Sequence, residues 1–300
     1  MNRTSTRREW LGKTLCAAAG ALLACTAHTK AADAPDGAAK SSFREIPPWT
    51  LYAFDNGLDG PDVSSVESKV ALLKKLGYTG MTDQMGRQRL PEVLAALDKQ
   101  GLEFASYYCT PSVEEPLDPR FADAIALMKG RRARIEIAFA SRKFKPSDPA
   151  ADTLATDMLK RIADLAAESG PLISVYPHKG MWSERVDDGV RLARKVNLKT
   201  VGTNLNLVHW KWVPQPRALE EVLLEAVPFL KLVTINGLDK DRIVSLADGD
   251  YDVGAFLATV KKAGYTGPIG LQGYSIKGPS ETHLKRSMDK WTEIRKALSV

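Results

Sequence analysis

Two short stretches concentrate the groups able to bind a ligand and move protons. Tyr176-Pro177-His178-Lys179 is one, and Asn204-Leu205-Asn206 with His209 is the other. An imidazole titrates near neutral pH, so His178 and His209 suit proton transfer beside a carbonyl, and either can also ligate a metal. Tyr176 adds a phenol, and Lys179 adds a cation that would steady an enolate. These four are the candidate catalytic groups. The plainer role for each histidine is that of a satisfied hydrogen-bonding group, so position must decide between the two.

Asp55, Asp83, Tyr108, Asn236, Gln272 and Tyr274 each stand just past a short apolar run, as Tyr176, Asn204 and Asn206 do. Most of these groups are uncharged. Such a set suits a small polyhydroxylated ligand, because each sugar hydroxyl both donates and accepts and neutral partners need little desolvation. Trp182, Trp210 and Trp212 lie close by in sequence, where they either stack on a pyranose face or pack. Asp55 and Asp83 serve as acid or base, or simply cap the following loop. His283, by contrast, falls on a helix near the C-terminus and is expected away from the site.

What must position these groups is a run of alternating elements. Eight β-branched or apolar runs read as strands: 50–54, 79–82, 103–108, 134–139, 172–176, 200–205, 230–235 and 268–272. Longer amphipathic stretches at 64–76, 91–100, 118–128, 152–169, 185–196, 218–227, 253–263 and 280–298 read as helices, several closed by glycine (Gly77, Gly101, Gly264). Eight strand-helix units favour a closed, single (β/α)8 TIM barrel of the α/β class over residues 49–300. No glycine-rich phosphate loop follows the first strand, so a Rossmann sheet is disfavoured. In such a barrel, functional groups gather where strands end, and the polar residues above sit there.

The N-terminus reads as an address. Arg7 and Arg8 precede Trp10 and Leu11, then an apolar small-residue stretch runs from Leu15 to Ala27. This resembles a twin-arginine export signal over 1–31, followed by a flexible lead-in over 32–48, and implies a periplasmic protein. Leu22-Leu23-Ala24-Cys25 resembles a lipobox, which would instead acylate Cys25 and anchor the protein. The stretch is too short to span a bilayer, so no transmembrane span is expected in the mature chain. Cleavage would leave Cys109 as the single cysteine, without an internal disulfide. The net charge of +6 is concentrated here: residues 1–31 hold Arg3, Arg7, Arg8, Lys13 and Lys30 against Glu9, leaving 37 basic and 35 acidic residues beyond. A nearly balanced body without a basic-aromatic stripe argues against a nucleic-acid partner.

Tyr176 to Gly180 with Trp182, Glu184 and Arg185, then Asn204 to Trp210, then Gly264-Tyr265-Thr266-Gly267-Pro268-Ile269-Gly270-Leu271-Gln272, resemble the sugar phosphate isomerase/epimerase group of the xylose-isomerase-like barrels. The resemblance implies isomerase or epimerase chemistry. It also implies a divalent metal held at four strand ends by Glu, Asp (three residues before a His), His and Glu. Here those positions carry Tyr176, Asn206 ahead of His209, Asn236 and Gln272. Three acids are replaced by neutral groups, so any site built on His209, Asn206 and Gln272 would hold a hard cation only weakly. The leading expectation is an exported sugar isomerase- or epimerase-like enzyme. The alternatives are a non-catalytic carbohydrate-binding barrel and a lyase acting on an oxidised sugar. Glycoside hydrolysis is disfavoured, because Glu136 does not by itself supply the carboxylate pair it needs.

Overall fold

The computed structural model describes residues 46–86 and 89–300. The expected export signal (1–31), its Cys25 lipobox and most of the lead-in lie outside the described residues. Eight parallel strands close into a barrel: β1 (Leu51–Ala53), β2 (Gly80–Gln84), β3 (Glu103–Cys109), β4 (Arg134–Ile137), β5 (Leu172–Val175), β6 (Val201–Asn206), β7 (Leu230–Ile235) and, after a hairpin of β8 (Gly237–Asp239) and β9 (Arg242–Val244), β10 (Ile269–Leu271). Around the ring the order is β1-β10-β7-β6-β5-β4-β3-β2, so β5 stands diametrically opposite β1. Helices α1 (Val66–Leu76), α2 (Leu90–Gln100), α3 (Arg120–Leu127), α4 (Asp152–Ala166), α5 (Val186–Val196), α6 (Leu207–Trp212), α7 (Leu219–Ala226), α8 (Val253–Lys262) and α9 (Ser280–Leu298) follow the strands. All eight expected strands are barrel strands, with ends shifted by no more than two residues. The hairpin and the short α6 were not expected.

Local chemistry sets the element ends. Ser65 and Ser68 form a reciprocal cap at the start of α1, with bonds of 3.2 and 3.1 Å, and the helix closes at Gly77 with φ of +84°. Alternation along each strand then sorts side chains between two cores. Met81, Phe104, Ile135, Ile173, Leu205, Val233 and Leu271 join the large cluster shared with the helices, whereas Tyr52, Phe54, Ala138, Tyr176 and Leu232 fill the barrel interior. Each large apolar side chain sealed into either cluster contributes about 1.5–3 kcal/mol.

The interior is unusually polar at mid-height. Glu136, fully buried, accepts the Ser106 hydroxyl and, at 2.6 Å, the Nδ2 of Asn204, whose own Oδ1 accepts from Ser174. Burial is the main cause that pushes the Glu136 carboxyl up to about 7, opposed by the Ser106 bond. Beside this layer, Gly270 makes room for Tyr52: a Cβ there would lie 2.5 Å from the Tyr52 hydroxyl. Gly270→Ala is therefore expected to overpack the interior and cost about 1–3 kcal/mol, read as a lower urea midpoint with an unchanged slope.

Candidate functional site

A cavity of about 730 Å³ opens over the C-terminal ends of the strands, the end where barrels of this type gather functional groups. Its floor is a neutral hydrogen-bonded cluster. The Tyr176 hydroxyl accepts from Asn206 Nδ2 at 2.5 Å and from Gln272 Nε2 at 2.8 Å. The amide orientations are pinned by backbone donors. Asn206 Oδ1 takes the His209 N–H at 3.1 Å, capping α6, so its Nδ2 must face the phenol. The Gly273 N–H donates to Asn56 Oδ1 at 3.2 Å, so Asn56 Nδ2 donates to Gln272 Oε1 at 2.8 Å, and Gln272 Nε2 faces the phenol in turn. With two N–H groups on its oxygen, Tyr176 keeps a hydroxyl proton that has no acceptor among the described residues. Burial first, then the nearby Glu136 charge, raises the phenol well above its ordinary range, so it stays a donor at neutral pH.

Beside this floor the two candidate histidines stack, with ring centroids 4.0 Å apart and planes inclined by 41°. The backbone of Lys179 treats them oppositely. Its carbonyl lies 2.9 Å from His178 Nδ1, which must therefore carry the hydrogen and leave Nε2 as a bare acceptor. Its N–H points 3.4 Å to His209 Nδ1, a longer bond that favours the tautomer with the hydrogen on Nε2. Burial holds both below the usual imidazole range. In His209 the neighbouring His178 and Lys179 add to burial and push it down to about 3, while in His178 burial is opposed by the bond to the Lys179 carbonyl. At pH 7 both rings are neutral, one presenting a base and the other a donor.

Of the groups expected at the site, Asp55, Tyr108, Tyr176, His178, His209, Gln272 and Tyr274 line the cavity. Tyr108 packs edge-on against Tyr176 at 5.2 Å. Asp55 accepts from Gln84 at 3.4 Å and from Arg89 at 3.3 Å. Asn206 acts through Tyr176, and Lys179 acts through its backbone while its Nζ rests 5.7 Å over the Trp212 ring.

The remaining expectations are corrected. Trp182 is buried in the outer core, edge-on to Phe139 and bonded to the Asp148 carbonyl, and Trp210 packs against that same core; Trp212 is the tryptophan that reaches the cavity. Asp83 shares the outward parity of Met81 and pairs with Arg89 at 3.3 Å. Asn204 lies a layer lower, on Glu136. Asn236 is fully buried above β7, donating to the Gly237 carbonyl at 2.8 Å with its Oδ1 unpartnered among the described residues, and does not line the cavity. His283, expected elsewhere, does line it, as does Gln84, the polar residue that follows Asp83 at the end of β2.

The cluster does not fit the divalent metal that the resemblance implies. A hard cation needs anionic or carbonyl oxygens, and here two N–H groups converge on a neutral phenol while both amide oxygens are engaged elsewhere. Among the described residues no three His, Cys, Asp or Glu side chains converge as a metal-holding group. No curated protein matches the chain in sequence. Solved structures do match in fold. A D-allulose 3-epimerase from Methylomonas sp. is similar at 15% identity, TM-score 0.66, covering 84% of this chain and 100% of that one. A 3-keto-D-glucoside 4-epimerase from E. coli gives 15%, 0.65, 83% and 99%. An AP endonuclease of family 2 from Brucella melitensis gives 17%, 0.63, 80% and 97%. At these identities the likeness is one of fold, shared by epimerases and an endonuclease alike. With residues 70–294 matching the family described as xylose isomerase-like TIM barrel, over a closed eight-stranded barrel, the chain belongs to that family.

Proposed function

We propose that the chain is a sugar isomerase- or epimerase-like enzyme that moves a proton beside a sugar carbonyl by a one-base route. The observation that carries this reading is the pair of opposite contacts made by the Lys179 backbone, its carbonyl on His178 Nδ1 and its N–H on His209 Nδ1. His178 Nε2 takes the hydrogen from the carbon next to the carbonyl. The C–H electron pair becomes the C=C of an enediolate, and the carbonyl π pair moves onto its oxygen, where the Tyr176 hydroxyl and His209 Nε2–H donate. The imidazolium returns the proton to the former carbonyl carbon, and the hydroxyl proton of the neighbouring carbon passes to the new alcohol oxygen. Stacked rings approach a ligand from one side, which favours isomerisation over an inversion needing groups on opposite faces.

Several features support a sugar as ligand: the neutral amide and phenol floor, the Trp212 ring, and the sugar epimerases among the fold neighbours. The twin-arginine pattern at Arg7 and Arg8 favours a free sugar or glycoside over a phosphorylated intermediate. The lyase alternative begins with the same proton abstraction. The carbohydrate-binding alternative is favoured by one observation, the absence of carboxylates from the Tyr176 cluster.

Proton abstraction is testable without knowing the product. Keto- and aldohexoses incubated with the protein in D2O should lose the hydrogen beside the carbonyl to solvent exchange, seen by NMR. Because burial keeps His178 below its ordinary 6.5, the exchange rate should stay level through neutral pH and fall only in more acidic solution. Saturable binding without exchange in any sugar would select the binding-barrel reading instead.

A further inference from the structure

The cavity reaches well beyond the groups that would hold one reacting ring. We infer that it is built for a glycoside of at least two rings, the first over Tyr176 and the second between the loops after β1 and β10; this rests on the carbohydrate reading above. The volume is the first reason. A hexose has twelve heavy atoms, and if each takes no more room than a water molecule, roughly 30 Å³, the sugar fills at most about half of the 730 Å³.

The layout is the second reason. His178, His209 and Trp212 stand behind β5 and β6, whereas Asn56 to Pro61 follow β1 on the opposite side of the ring, and Tyr274 to Gly278 follow β10 beside it. That far half is a formed wall. Gly57 and Gly273 lie against each other, so close that a Cβ on Gly273 would come within 2.5 Å of Gly57 Cα, and both abut the His283 ring.

Its polar groups are the third reason. His283 lines this end and is only 7% exposed, yet its Nδ1 has no hydrogen-bond partner among the described residues, so a polar demand at the cavity edge is left unmet. Lys277 and Tyr274 line the same end without a partner among the described residues, and the Tyr274 ring is 62% exposed. A buried, unpartnered imidazole nitrogen, a cation and an open aromatic face together suit a second sugar ring and its hydroxyls.

Calorimetry of the full chain tests this with matched ligands: D-fructose, D-tagatose and D-psicose against the two-ring ketoses lactulose, maltulose and isomaltulose. Binding of at least one two-ring ketose about 10-fold tighter than any one-ring ketose is expected, with that preference erased in Tyr274→Ala, an exposed position where folding is not at stake. Equal binding of both sets, or a preference that survives Tyr274→Ala, would overturn the inference while leaving the sugar reading intact. No binding by any of the six would overturn both. Two-ring binding without α-hydrogen exchange would uphold the extended site and sink the enzymatic reading alone.

Discussion

His178→Ala should lower kcat/KM by about 10²–10⁴-fold, the range for loss of a positioned general base. The reason is specific to this ring. Its Nδ1 is committed to the Lys179 carbonyl at 2.9 Å, which leaves Nε2 as the acceptor of a ring that lines the cavity. In the proposed route His209, whose Nδ1 accepts from the Lys179 N–H, stabilises developing charge rather than taking the proton, so His209→Ala should cost about 10²–10³-fold, as loss of an oxyanion donor does. Added imidazole separates the two roles. In an open cavity it should restore part of the activity of His178→Ala, where a base is missing, and little in His209→Ala, where an oriented donor is missing. Full α-hydrogen exchange in both variants would remove the histidines from the chemistry.

The barrel was legible because each strand-helix unit announces itself locally. Gly77, Gly101 and Gly264 close helices at positive φ just ahead of β2, β3 and β10, and Ser65 opens α1. Which face of a strand looks inward was less legible. Parallel barrel strands are buried on both sides, so apolar alternation does not mark the interior, and a single step of parity exchanges Asp83 for Gln84. The tryptophans misled for a related reason. Trp182 and Trp210 lie near site residues in sequence, but Trp182 follows a turn that returns it to the Phe139 side of the wall. Only after Asn206 caps α6 does the helical register bring His209 and Trp212 together, 6.1 Å apart by centroid. His283 was missed because a contact between a late helix and the loops after β1 and β10 is tertiary. The signal that existed was Gly57 and Gly273, two glycines leaving space for the same ring. Glu136 was seen only as an incomplete catalytic pair, because no local pattern marks a carboxyl that accepts from Ser106 and Asn204 beneath the floor.

Restoring two of the three missing acids should turn the floor into a metal site. In Asn206→Asp/Gln272→Glu the outward bonds survive, since carboxylate oxygens can still accept from the His209 N–H and from Asn56 Nδ2. The inward side changes sign. Two acceptor oxygens would face a phenol that has one proton to give, so one carboxylate is satisfied and the other meets only its neighbour's charge. Without metal, the variant should lose about 2–4 kcal/mol, with one carboxyl titrating well above the ordinary range. For a chain of this size, at roughly 2 °C per kcal/mol, that is a fall in Tm of about 4–8 °C. Manganese should reverse it, because two anionic oxygens now converge where two N–H groups stood. Affinity on the order of 100-fold or more above that of the unaltered protein is expected, and Mn²⁺ at 100 times the dissociation constant would return about 2.7 kcal/mol. The unaltered protein should show almost no manganese-dependent shift in Tm. Stoichiometric manganese in the unaltered protein would contradict the amide orientations themselves, because Asn206 and Gln272 could then not both be turning N–H groups toward Tyr176.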